Sequence, residues 1–170
     1  MLTLRLATSS DTPLIHSLAE VVFRHTYRTI LTPEQIDYMM DWMYSEESLH
    51  RQMEQEGHVY YLGFDDDEPT GYVSVQPQGA DADGTSVWHL QKIYVLPSRQ
   101  NSGLGRQLFA RALAHVKEQS GSPSRVELNV NRANPAVTFY EHMGMHRQSQ
   151  GDFPIGNGYY MNDYIMAIDL

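Results

Sequence analysis

Gln100-Asn101-Ser102-Gly103-Leu104-Gly105 is the stretch on which the fold of this chain turns. It follows a strand-like run, Leu90-Gln91-Lys92-Ile93-Tyr94-Val95, and opens an amphipathic helix that begins near Gly103. Glycines two apart let the main chain approach a ligand with no Cβ in the way. The first turn of the helix leaves its N–H groups unpaired and carries the positive end of the helix dipole. Strand, glycine turn and helix together make a cradle for a phosphate or pyrophosphate. An ordinary tight turn before a helix has the same composition, so a second element has to decide between the two. Two other phosphate loops are set aside. Arg106-Gln107 stands where a Walker loop carries Lys-Ser/Thr, and a dinucleotide fingerprint needs a third glycine and a downstream acid.

Working outward, residues 2–7 alternate as a strand with Leu2, Leu4 and Leu6 on one side. Asp11 and Pro13 start a helix with Leu14, Leu18, Val21 and Val22 on one face. Thr32-Pro33-Glu34-Gln35 is a capping box with proline at the first helical position, opening a helix that bears Ile36, Met39, Met40 and Met43. A third helical segment runs from about Glu46 to Gln55 and stops at Gly57. Val59 to Phe64 and Gly71 to Val75 read as strands joined by the polar turn 65–70, and Val87 to Val95 as a longer strand ended by Pro97. The helix after Gly103 buries Leu104, Leu108, Ala112 and Val116 and stops at Gly121. Arg125 to Val130 is a strand. Asn134-Pro135 then caps a short helix running to Met143, with Gly144 beyond it, and a terminal hairpin turns at Gly156-Asn157-Gly158. The order β-α-α-β-β-β-α-β-α-β-β implies an α/β (α+β) fold, a mixed sheet with helices on both faces.

The chain has 170 residues, 41% of them hydrophobic and 11% aromatic, which reads as one globular domain over residues 1–170. It has no cysteine, which excludes disulfides, thiolate metal sites and a cysteine nucleophile, and makes the reducing cytoplasm the default expectation. The N-terminus lacks the apolar block of a signal peptide, and no stretch approaches the roughly 18 apolar residues of a membrane span. A net charge of −9 argues against nucleic acid or an anionic membrane as partner.

The pattern Gln/Arg-x-x-Gly-x-Gly/Ala after a strand is met here by Gln100 to Gly105. A second element, Asn-x-x-Ala-x-x-Phe-Tyr, is met by Asn134, Ala136, Phe139 and Tyr140, with Gly144 after it. Together, with the same intervening helix and strand, they resemble the GCN5-related N-acetyltransferase superfamily over essentially the whole chain. Residues 27–53 look like members that act on small amines or polyamines. The resemblance implies a mixed, mostly antiparallel sheet of about seven strands flanked by about four helices. It implies acetyl-CoA as cosubstrate and no metal, with the pyrophosphate on the main chain of Gln100, Asn101, Ser102, Gly103, Leu104, Gly105 and Arg106. The pantetheine arm would pair like an added strand with Ile93, Tyr94 and Val95, and Asn134 would meet the pantetheine or pyrophosphate region.

Acetylation of an amine requires that nitrogen be deprotonated, the thioester oxygen stabilised and the thiolate protonated as it leaves. The resemblance implies Tyr140 as the acid for the thiolate; the alternative is a buried aromatic whose hydroxyl caps a core. Members often carry Glu where this chain has His89, whose unperturbed pKa near 6.5 suits a base acting through water. The alternative is a partly exposed strand histidine. His142 and His146 are four apart, but Gly144 breaks the helix between them and with it the metal-ligand geometry. The run Asp65 to Glu68 is a solvated turn, and no Gly-x-Ser-x-Gly elbow is present. Phe23 and Tyr27, with Met39, Met43, Tyr159 and Tyr160, are candidate walls for the acceptor, although such side chains more often form core. The expected reaction is acetyl transfer to a primary amine of a small molecule by direct attack in a ternary complex. The alternatives are a non-catalytic acyl-CoA-binding module, an enzyme acting on a protein or peptide amine, and a structural protein whose glycine turn is incidental. Any of these permits a homodimer through the terminal strands.

Overall fold

A computed structural model describes all 170 residues. The strands are β1 (Leu2–Leu6), β2 (Val59–Asp65), β3 (Glu68–Ala80), β4 (Ser86–Val95), β5 (Ser124–Asn131), β6 (His146–Gly156) and β7 (Tyr159–Asp169). The helices are α1 (Thr12–Tyr27), α2 (Pro33–Tyr44), α3 (Glu46–Glu54), α4 (Leu104–Ser120) and α5 (Ala136–His142). The third helical segment is a helix of its own, so five helices rather than about four flank the sheet. The seven strands follow the order β1-β2-β3-β4-β5-β7-β6, antiparallel throughout except for β4 beside β5.

Two cores lie on opposite faces of the sheet. Under α4 and α5 sit Val73, Leu90, Leu108, Phe109, Val126 and Met166. Under α1, α2 and α3 sit Ile15, Phe23, Met39, Tyr44, Tyr60 and Tyr72. The α1 stripe is rotated from the one expected: Ile15, Leu18, Ala19, Val22 and Phe23 are buried, whereas Val21 is exposed. Leu18 and Val22 belong to both stripes, and the buried ring of Phe23 draws the helix toward its own side.

Local chemistry fixes the element ends. The β2–β3 turn is tighter than 65–70: only Asp66 and Asp67 connect the strands, both with positive φ (50° and 68°), as a two-residue hairpin of matching twist requires. At α2, Thr32 accepts from the Gln35 N–H, but the Gln35 side chain donates to the Tyr160 carbonyl at 3.2 Å instead of closing the capping box. Tyr38 donates to the Ile155 carbonyl at 2.8 Å, so the β6–β7 tip is pinned to α2.

The strand that leads into the glycine turn changes phase. Val75 pairs with Leu90 and Ser74 with Lys92, which leaves Gln91 as an extra residue. Trp88 and Leu90 therefore point to the α4 core, and after the bulge Ile93 and Val95 do so while Tyr94 packs against the opposite core. Beside it, β5 pairs with β4 only from Ser86↔Ser124 to His89↔Glu127. Beyond that point the two strands separate, and β5 continues its pairing with β7.

Candidate active site

A cleft of about 800 Å³ opens where β4 and β5 part. Its walls are β4 from Leu90 to Val95, β5 from Leu128 to Val130, the end of α1, the turn into α4 and the start of α5. Main-chain groups of β4 that would have bonded to β5 face this gap.

At one mouth is the glycine turn. Asn101 and Gly103 both have positive φ (66° and 91°), so the chain coils through residues 100–103 and enters α4 without a side-chain cap from Gly103. Successive N–H groups in such a turn point to one side and form an anion-binding concavity. The main-chain N–H groups of Asn101, Ser102, Gly103, Gly105 and Arg106 make no hydrogen bond within the chain. The Leu104 N–H lies 3.4 Å from Ser102 Oγ. Leu104 itself is buried, seated where a Cβ on Gly63 would lie 2.8 Å from its Cδ1, so its side chain anchors the helix and does not face the cleft. Arg106 is exposed and forms no ion pair, while Arg99 is held by Glu68 at 2.6 Å and Asp65 at 3.4 Å. The acidic turn therefore steers Arg99 beside the loop.

Across the cleft, α5 carries Tyr140. Asn134 accepts from the Ala136 N–H at 2.9 Å and donates to the Tyr27 hydroxyl at 3.4 Å, so it caps α5 and ties it to α1. Its amide is thus largely committed to the fold, although the residue lines the cleft. The Tyr140 ring packs on Phe109 and Phe139, and its hydroxyl makes no hydrogen bond within the chain. Burial pushes its phenol above the usual range, with the neighbouring Tyr27 adding to the effect, so it stays protonated. A protonated phenol held in a cleft can give up a hydrogen bond or a proton, and little else.

The structure brings together Ile93, Tyr94, Val95, Gln100, Asn101, Gly103, Gly105, Arg106, Asn134, Tyr140 and Tyr27 around one space. It leaves others apart. Phe23 is a core residue, its ring 4.7 Å from Tyr27 and 5.6 Å from Tyr44, and does not reach the cleft. Met39 is buried in the same core, Tyr159 packs on Tyr38 and Tyr160 is exposed, so none of them walls the cleft. His89 is outside the lining as well: its Nε2 is 3.0 Å from Asn129 Oδ1, and Asn129 does face the cleft. Sequence reasoning passed over Gln91, Lys92 and Asn129. The signal for the first two was present, since the inward positions Trp88, Leu90, Ile93 and Val95 slip from a spacing of two to a spacing of three.

Lys92 is the unexpected occupant. Its ammonium donates to Tyr60 Oη at 2.6 Å, Gln52 Oε1 at 2.9 Å and the Met43 carbonyl at 3.2 Å, over the ring of Tyr44 at 4.3 Å. Burial lowers its pKa to about 7, opposed by Glu56. The residues lining the cleft include four basic side chains, Arg28, Lys92, Arg99 and Arg106, and no carboxylate. No three His, Cys, Asp or Glu side chains come together as metal ligands. No helix is long and apolar enough to cross a membrane.

Comparison with known proteins agrees with this arrangement. An uncharacterized N-acetyltransferase encoded in the pepI 3′ region of Lactobacillus delbrueckii subsp. lactis is 27% identical over 156 residues, 88% of this chain and 87% of that protein. The crystal structure of the PaiA N-acetyltransferase of Thermoplasma acidophilum, in complex with coenzyme A, superposes with a TM-score of 0.79 at 20% identity, over 100% of this chain and 99% of that one. A GCN5-related N-acetyltransferase from Rhodopseudomonas palustris gives a TM-score of 0.78 at 15% identity, over 99% and 95% of the two chains. These likenesses at low identity establish the shared fold. The model of the acetyltransferase (GNAT) domain matches residues 28–158, most of the chain and all of the cleft's walls except the end of α1, His25 to Tyr27. The chain belongs to the GNAT family, and it is an N-acetyltransferase.

Proposed function

We propose that this chain transfers the acetyl group of acetyl-CoA to a primary amine of a small molecule. The observation that carries the reading is the set of main-chain N–H groups of Asn101, Ser102, Gly103, Gly105 and Arg106, unbonded within the chain at the start of α4. Free N–H groups clustered in a left-handed turn at a helix N-terminus form an anion-binding concavity that fits a diphosphate. Gly103, with open space where a Cβ would sit, keeps a side chain out of that cradle, and Arg106 adds an unpaired cation. The neighbour from Thermoplasma acidophilum holds coenzyme A on the same fold, which supports the choice of ligand.

The separated strands suit the pantetheine arm, whose amides would find unpaired N–H and C=O groups along Ile93, Tyr94 and Val95. Acetyl-CoA supplies an activated thioester. The chain's own part is to hold it in the gap, to offer a β4 N–H to the thioester oxygen and to keep the Tyr140 phenol available as proton donor to the departing sulfur. Because its pKa lies above the usual tyrosine value, Tyr140 remains protonated through the whole physiological range. His89, whose ring lies behind Asn129, would serve as base only through intervening groups.

A cleft of about 800 Å³ has the size of a small-molecule site, which favours a small acceptor beside the pantetheine arm. Calorimetric titration with acetyl-CoA, followed by CoA release with a panel of amines including spermidine and lysine derivatives, tests the assignment. Sub-millimolar binding and turnover of at least one amine are expected. Absence of binding at that concentration overturns it.

A further inference from the structure

A cationic amine entering this cleft meets a wall without a single carboxylate. One buried carboxylate stands immediately behind the wall. Asp163 on β7 is 3% exposed, and its side chain shares a sheet face with Asn131, its partner in register, and with Asn129 two residues before. Its Oδ2 accepts from Asn129 Nδ2 at 3.3 Å, while its Oδ1 is buried with no partner. Arg132 does not neutralise it: that guanidinium donates to the Asp163 main-chain oxygen at 3.3 Å and to the carboxylate of Asp152 at 2.8 Å. Burial holds the Asp163 carboxyl above the usual carboxylate range, against the opposing influence of Asn129 and Arg132. An uncompensated buried carboxylate costs stability, and stability is not a reason to keep one. The asparagine that reaches it does face the cleft. Asn129 has Nδ2 engaged by Asp163 and Oδ1 within 3.0 Å of His89 Nε2, which fixes its amide from both ends. One Oδ1 lone pair and one N–H remain unused.

We propose that Asp163 is a positioning residue for an acceptor amine that arrives protonated, acting through Asn129. It fixes the amide so that Oδ1 can take an amine N–H, and it adds negative potential behind Asn129 on a wall that carries no carboxylate of its own. The assignment rests on the acetyltransferase reading above.

Asp163→Asn removes the charge and keeps the size and the contact to Asn129. Thermal melting and steady-state kinetics with spermidine and with n-butylamine are compared with the unaltered protein. The melting temperature is expected to rise, the KM for the amine to increase about tenfold, and the KM for acetyl-CoA to stay put. Asn129→Ala should raise the same amine KM, and the double variant should add nothing further. A lowered melting temperature, an unchanged amine KM or additive effects in the double variant overturns the assignment to Asp163. Failure of the unaltered chain to turn over either amine overturns the small-amine reading, and the assignment with it. Turnover that Asp163→Asn leaves untouched overturns the assignment alone.

Discussion

The two sides of the sheet face one cleft and are built from different chemistry. Under α4 the packing is mainly aliphatic, from Val73 and Leu90 to Leu108 and Val116, joined by the rings of Trp88, Phe109 and Tyr140, and the Tyr140 hydroxyl is left unbonded at the cleft. Under α1–α3 the packing is threaded with hydroxyls and an amine. Tyr72 donates to Tyr44 at 2.8 Å, Tyr60 to Gln52 at 2.6 Å, and Lys92 reaches both Tyr60 and Gln52. An aliphatic core keeps its shape at any pH; a core with a buried ammonium does not. The side that presents the glycine turn thus has no buried ammonium in its core, and the side that borders the acceptor end has one in Lys92. The lesson is that one cleft can be rigid toward its cosubstrate and responsive toward its second ligand, because the sheet divides the two environments.

The largest expected effect tests the aliphatic side. Tyr140→Phe should lower kcat by about 10²- to 10⁴-fold, the range for loss of a general acid, with the KM for acetyl-CoA nearly unchanged. Since the hydroxyl bonds to nothing in the chain, the variant should melt no lower than the parent, so lost activity cannot be charged to lost fold. Steady-state rates across pH check it. A kcat that survives the change would leave Tyr140 a packing residue and the α4 side without a proton donor for the departing sulfur.

Much of this was readable in the chain because it is written in local rules. The helix after Gly103 shows its stripe at Leu104, Leu108, Ala112 and Val116, and all four are buried. The hairpin at Asn157-Gly158 and the cap at Thr32 follow from turn and capping chemistry. What escaped depends on phase or on long-range pairing. One extra residue at Gln91 reverses the side on which Lys92 lies, so an alternation rule run straight through β4 misplaces it. Phe23 is a candidate wall in sequence as an aromatic side chain on the first helix, and its contacts with Tyr44 and Tyr94, distant along the chain, place it in the core instead. Asp163 is some 34 residues from Asn129, and only the pairing of β5 with β7 brings them together.

The middle effect breaks the comparison from the other side. The folded-state pKa of Lys92 is lowered from 10.5 to about 7, so between those values the unfolded chain holds one more proton than the native one. Stability then rises with pH, is complete above the unfolded value and is lost as pH falls toward 7, at up to about 1.4 kcal/mol per unit. The window closes near pH 10, where buried tyrosines with raised pKa, Tyr44, Tyr60 and Tyr72, begin to favour the unfolded state. His58, lowered to about 4 by burial, adds a separate rise between pH 4 and 6.5. Urea unfolding from pH 7.5 to 9 should show an increase of about 2 kcal/mol in the parent and almost none in Lys92→Met. Equal slopes would mean that its three acceptors and the Tyr44 ring keep the ammonium charged, and that the α1–α3 side is as indifferent to pH as its opposite.

The smallest effect separates two glycines that the motif treats as a pair. Gly103 has φ +91° and no atom within 4 Å of where a Cβ would sit, so Gly103→Ala meets no clash and its whole cost is conformational. A left-handed alanine costs about 1–2 kcal/mol, so either stability falls by that amount or the turn relaxes and its N–H groups rotate away. Gly105 is already inside α4, and a Cβ there would touch Phe139 and Val95 at ordinary distances of 3.7 and 3.8 Å. Gly105→Ala should therefore stabilise the helix by about 0.5–1 kcal/mol. Titration with acetyl-CoA should then find affinity lowered roughly 5- to 30-fold in Gly103→Ala, the equivalent of about 1–2 kcal/mol, and little changed in Gly105→Ala. If the two variants bind alike, the left-handed turn is not what aims the amides, and the helix N-terminus alone accounts for the site.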